Sequence, residues 1–120
     1  MANACKSLWV EGRCVLPAVR FAWRAPERLR GLLGGTALPP GQGLCIPRCS
    51  AVHTFGMGFD LDLLFLDRHD RILRFERRVR PWRVAWGGFQ ARGVVELASG
   101  WLDPAFVPLG GQVEWRTPEG

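Results

Sequence analysis

No apolar run in this chain approaches the ~20 residues that a membrane-crossing helix needs, so a membrane span is not expected. Residues 1–14, MANACKSLWVEGRC, carry one lysine and no apolar core, which is not the pattern of a secretory leader. A soluble, cytoplasmic chain is the expectation. Lysine is nearly missing: the basic residues are fifteen arginines and Lys6 alone. Internal repeats, heptads and low-complexity tracts are also missing, which excludes solenoids, coiled coils and linker-like chains. Only one stretch has helical spacing, so alternating βαβ units are not expected. The four cysteines, Cys5, Cys14, Cys45 and Cys49, are too few to impose a framework, and in a reducing compartment they stay thiols.

What is present describes a globular protein. Hydrophobic residues make up 48% of the chain and aromatics 11%, and 120 residues suit one domain spanning 1–120. A chain of this size buries roughly two-thirds of the surface its unfolded form exposes, enough for one core. Leu8-Trp9-Val10 and Cys14-Val15-Leu16 flank a turn at Glu11-Gly12-Arg13, and Val19, Phe21 and Trp23 continue with period two. Pro17 is expected to limit pairing between those pieces. Residues 26–33, PERLRGLL, form the single helix candidate: Pro26 suits a first helical position, Leu29, Leu32 and Leu33 share a face, and Gly34-Gly35 stops it.

The chain is organised around residues 49–67, CSAVHTFGMGFDLDLLFLD. These read as two strands joined at Gly56-Met57-Gly58. In the first, Cys49, Ala51, His53, Phe55 and Met57 share one face; in the second, residues 60–67, Leu61, Leu63 and Phe65 oppose Leu64 and Leu66, so both faces are apolar at the far end, the mark of a central strand. Leu73 and Phe75 face inward on the next strand, and Arg77 breaks the alternation through a bulge or an internal carboxylate. Val94–Ala98 and Gln112–Trp115 read as further strands. Many short strands with one helix (26–33) predict a mainly β, compact antiparallel sandwich-like or barrel-like domain.

Charge is unevenly placed. Residues 68–92 hold eight arginines against Asp70 and Glu76, a local excess of six in a chain whose total is +5, so the remainder sums to minus one.

ERLRGLLG (27–34), the whole stretch 49–67, RPWR (80–83) and VVELASG (94–100) together resemble a bacterial and archaeal family known as domain of unknown function 192. The resemblance covers about residues 18–115. It implies a mainly β, sandwich-like fold and points to Arg30, His53, Met57, Asp62 and Glu96, as a ligand site or as a structural polar network. It carries no reaction. Some relatives look exported, whereas residues 1–14 here are not expected to act as a leader.

Several chemistries compete for these residues. Cys49 as thiolate, His53 as base and Asp62 as orienter would make a nucleophilic site, yet strand residues four apart lie about 13 Å from each other. Cys45, Cys49, His53 and Met57 are soft metal ligands, but their even spacing of four suits a helix rather than a strand. Against both stands a packed interior, in which His53 is a core histidine. Asp60 and Asp62 share a strand face about 6.6 Å apart, near the separation of glycosidase carboxylates. The Arg/Trp segment 74–86, with Arg74, Arg78, Arg80, Trp82, Arg83 and Trp86, has the guanidinium and indole groups that nucleic acids attract. It also suits a charged edge that resists aggregation.

The reading that follows is a non-enzymatic binding or accessory module without a cofactor, whose partner is a protein or small molecule. It uses either the groove near His53, Met57 and Asp62 or the Arg/Trp face. The alternatives are a small hydrolase using His53 and Asp62, and a nucleic-acid binder through 74–86.

Overall fold

The computed structural model describes residues 5–23 and 38–118. The chain begins with a hairpin of β1 (Lys6–Val10) and β2 (Arg13–Phe21). Glu11 and Gly12 both take positive φ, 51° and 75°, which gives the turn the twist a two-residue hairpin needs. Contrary to expectation, β2 runs straight through Pro17. Lys6 faces Val19 while Leu8 faces Leu16, so β2 carries one extra residue there, and the bulge absorbs the missing N–H.

Beyond β2 come β3 (Gln42–Pro47), β4 (Ala51–His53), β5 (Leu61–Leu66), β6 (Ile72–Val79), β7 (Val84–Trp86), β8 (Gly93–Ala98) and β9 (Val113–Arg116). Seven strands form one sheet in the order β6-β5-β8-β3-β2-β1-β9, and β4 pairs with β7 in a separate small sheet. The fold is mainly β, as expected, but not wholly antiparallel: β2 and β3 run parallel. A parallel neighbour requires a crossover. Residues 22–41 separate the two strands in sequence, and the expected helix at 26–33 lies outside the described residues.

The large sheet curls into a half-barrel. At one end its two outer strands meet, where Arg71 bridges Gln112, Ile72 N–H donates to Gly111 O at 2.9 Å and Val113 N–H to Asp70 O at 2.8 Å. The inside of the curl is one core, built from Leu8, Leu16, Val19, Leu64, Leu66, Val95 and Leu97 among others. The outer face of β3, β5 and β8 carries a second core, Leu44, Ile46, Leu61, Leu63, Phe65 and Val94. Met57, Cys49, Val52 and Ala85 pack over it, so the small sheet lies as a lid on the large one. This places β5 between two apolar layers and buries all six of its residues, as its double-sided pattern predicts.

The expected strand over 49–57 is shorter, covering only Ala51–His53. Its inward residue is Val52, and Thr54 just beyond the strand is buried, while His53 and Phe55 are exposed, so His53 is not a core histidine.

Candidate functional site

The site candidates separate onto different faces of the sheet. Residues directly opposite in antiparallel strands share a face. Asp62 faces Leu97 and belongs to the inside of the curl; Glu96 faces Leu63 and Leu44 and belongs to the outer core. The two buried carboxyls therefore cannot touch.

Asp62 is fully buried, and backbone donors occupy both of its oxygens. Oδ1 accepts the N–H of Arg78 at 2.7 Å and Oδ2 that of Gly100 at 3.0 Å. It joins no bond with His53, whose Nδ1 accepts the N–H of Phe55 at 3.3 Å on the outer surface of the small sheet. Glu96 is 3% exposed, its Oε2 has no hydrogen-bond partner, and burial pushes its carboxyl up to about 7. Met57 is buried in the outer core, and Arg30 lies outside the described residues. The four described positions, His53, Met57, Asp62 and Glu96, thus form no single hydrogen-bonded network among the described residues.

The soft-ligand set is equally divided. Cys45 points into the curl, where burial, then the charges of Asp70 and Cys49, push its thiol up to about 12; Cys49 lies on the outer core and donates its S–H to Ala51 O at 2.9 Å. Among the described residues no three His, Cys, Asp or Glu side chains gather closely enough to hold a metal ion. All four cysteines are free. Asp60 lies 3.6 Å from the Arg78 guanidinium, a partner outside the curl.

What the fold does assemble is the arginine face. Between β6 and β7 runs a groove of about 460 Å³, lined by Arg74, Arg77, Arg78, Arg80 and Arg83 with Glu76 and Trp86. Its shape follows from a bulge in β6. Leu61 pairs with Val79 but Leu63 with Glu76, so one residue is extra, and Arg78 sits at φ 55°. The irregularity that the alternation implies at Arg77 is therefore this bulge, and it turns Arg77 out into the groove. Arg74 pairs with Glu76, and Arg78 with Asp60. Arg77, Arg80 and Arg83 have no carboxylate within ion-pair distance among the described residues.

Thr54 fixes the rim of this groove. Its Oγ1 donates to Arg80 O at 2.6 Å and accepts Arg83 N–H at 2.9 Å; its backbone N–H donates to Arg83 O, and its O accepts Trp82 N–H. Two segments of the resemblance, VHTFGM and RPWR, are thereby one interlocked unit. Trp82, at φ 64°, is held outward and 65% exposed, stacked on Phe55 with ring centroids 5.7 Å apart. Trp86 meets Phe89 edge to face at 4.8 Å. Thr54, Phe55, Phe89 and Arg77 were not among the residues that the sequence names as site candidates. The one signal for Thr54 is its position between the two aromatic-rich neighbours, His53 and Phe55.

The chain is thus a small, mainly β half-barrel, with its candidate residues dispersed over different faces and an arginine-lined groove on its rim. The chain belongs to the family called domain of unknown function 192, described as an uncharacterised ACR family, which it matches over residues 8–115. No curated protein matches it. Two solved structures share the fold. One, from Sinorhizobium meliloti 1021 and described as "a putative transcription regulator", is 20% identical with a TM-score of 0.79, over 96% of each chain. The other, from Novosphingobium aromaticivorans DSM 12444 and described as a protein of unknown function, is 19% identical with a TM-score of 0.78, over 94% of this chain and 85% of that one. Among the described residues no helix is long and apolar enough to cross a membrane.

Proposed function

We propose that this domain is a non-enzymatic binding module for an anionic ligand, held in the groove between β6 and β7. The observation that carries this reading is the trio Arg77, Arg80 and Arg83, which line one concave surface and have no carboxylate partner among the described residues. Unpaired guanidinium groups are strong, geometrically selective partners for phosphate and carboxylate oxygens. The hydrolase reading has no comparable support, because both Asp62 oxygens are engaged by backbone and His53 lies on another layer. The description of the Sinorhizobium protein as a regulator is compatible with a role in binding. The four free thiols suit a cytoplasmic setting.

The test is calorimetric titration with inorganic polyphosphate, a polyanion without bases, in a series starting from about 50 mM salt. Binding that weakens steadily with salt, and that an Arg80→Ala/Arg83→Ala variant loses, is the expected result. Absence of binding at the lowest salt would overturn the reading.

A further inference from the structure

The groove is flanked by exposed aromatic rings, and a simple anion uses none of them. Trp82, on the loop between Arg80 and Arg83, shows solvent one face while Phe55 backs the other. Trp86, itself a lining residue, is about half exposed and braced by Phe89, the most exposed of these rings at 86%. Thr54 anchors the loop through four hydrogen bonds, so the Trp82 ring is presented by fixed backbone and loses little freedom when it binds.

We propose that the groove binds single-stranded nucleic acid, with Arg77, Arg80 and Arg83 on successive phosphates and Trp82 and Trp86 stacked against unpaired bases. This rests on the groove being an anion site, as argued above, and names the class of anion. The chemistry discriminates among polyanions. Phosphates alternating with flat π faces match guanidinium groups alternating with indoles, and the stacking tolerates any base. A duplex hides its base faces inside its own stack, leaving Trp82 and Trp86 without partners. An acidic peptide supplies carboxylates but no regular array of rings. An anionic bilayer is flat, whereas Arg77, Arg80 and Arg83 line a concavity.

The experiment is fluorescence anisotropy of labelled thymidine and uridine homopolymers of about 20 nucleotides, against a duplex of equal length and vesicles containing phosphatidylserine. Both strand chemistries are included because the groove contacts invoked, phosphate and base face, are common to DNA and RNA. At about 0.7 per phosphate on a single strand, three contacts predict a log–log salt slope of about −2, and Arg80→Ala/Arg83→Ala should flatten it by about 1.4. Trp82→Leu, which keeps apolar bulk at that position, should weaken single-strand binding at least about fivefold while leaving the salt slope unchanged. Circular dichroism of each variant confirms that the fold is retained. Duplex or vesicles bound as tightly as single strands, or Trp82→Leu binding like the parent, would overturn the proposal. Polyphosphate bound as tightly per phosphate as the oligonucleotides overturns it too, yet leaves the anion site standing. Failure to bind either polyphosphate or oligonucleotide removes both.

Discussion

Asp62 Oδ1 accepts the backbone N–H of Arg78 at 2.7 Å, and Arg78 holds that N–H in place with a left-handed backbone, φ 55°. The other oxygen does the same for Gly100, φ 85°, in the turn after β8. One buried carboxylate thus satisfies donors at two positions where the chain leaves regular strand geometry. It ties the β6 bulge and the β8 turn to the end of the curl, and the bulge is what opens the arginine groove.

Asp62→Asn should therefore destabilise the fold. The amide keeps one acceptor oxygen, but its NH₂ group faces a backbone donor, so one charge-assisted bond is lost and a buried N–H is left unsatisfied. A loss of about 1–3 kcal/mol is expected, read as a lower urea midpoint at unchanged slope. An unchanged midpoint would show that the two bonds contribute nothing.

Glu96 supplies a pH signature. Its carboxyl is raised from 4.5 to about 7 by burial, and Oε2 has no partner. Below pH 4.5 both folded and unfolded chains hold the proton. Between 4.5 and about 7 the unfolded chain releases it while the folded chain keeps it. The unfolded state then binds fewer protons, so stability falls as pH rises through this window and is level above it. Glu96→Gln removes the ionisation at the cost of burying an amide. At about pH 8 the variant should be more stable than the parent by about 1–2 kcal/mol, with the gap shrinking below about pH 5. Parallel melting curves across that range would refute this. The difference between the two proteins isolates Glu96 from Asp70, which is also raised, by burial first.

Gly87 follows β7 and rests on the central strand. A Cβ there would stand 2.6 Å from Phe65 Cγ and 2.9 Å from Ala91 Cβ, and Phe65 is completely buried. A ring packed between two layers cannot yield as a surface side chain does. Gly87→Ala should cost about 1–3 kcal/mol in stability, and it should disturb the near-ultraviolet dichroism of the neighbouring Trp86. Wild-type spectra and stability would mean that the small sheet floats rather than rests on β5.

Local patterns and long-range pairings were not equally legible. The double apolar face of residues 61–66 announces an interior strand, and the break at Arg77 announces either a bulge or an internal carboxylate, of which the bulge is what forms. Period-two reasoning failed at Pro17, where a bulge keeps the ladder intact, and over 49–57, where the strand ends after His53. The parallel pairing of β2 with β3 leaves no local mark, since nothing in either strand specifies its neighbour's direction. The same limit applied to the site. The resemblance places Asp62 and Glu96 in one set of positions, and only the β5–β8 register shows them on opposite faces. The arginine groove was visible as a charge cluster, but the distinction between its paired and unpaired guanidiniums depends on carboxylates placed by tertiary structure.

Thr54 links fold to function most directly, because its hydroxyl orders a loop without facing the groove's ligand. Thr54→Val is nearly isosteric but leaves the Arg80 carbonyl and the Arg83 N–H without their buried partner. A loss of about 1–3 kcal/mol follows from two unsatisfied backbone groups. The functional effect should be separable from this. Arg80, Trp82 and Arg83 lose a common anchor, so polyphosphate affinity should fall under conditions where the variant remains folded. Hydrogen exchange gives the decisive local measure. The Trp82 and Arg83 amides, bonded to Thr54, should exchange at least about tenfold faster, while β5 and β8 amides change only by the global stability difference. Uniform acceleration throughout the sheet would mean that Thr54 stabilises the fold at large, and the groove's rigidity would then need another source.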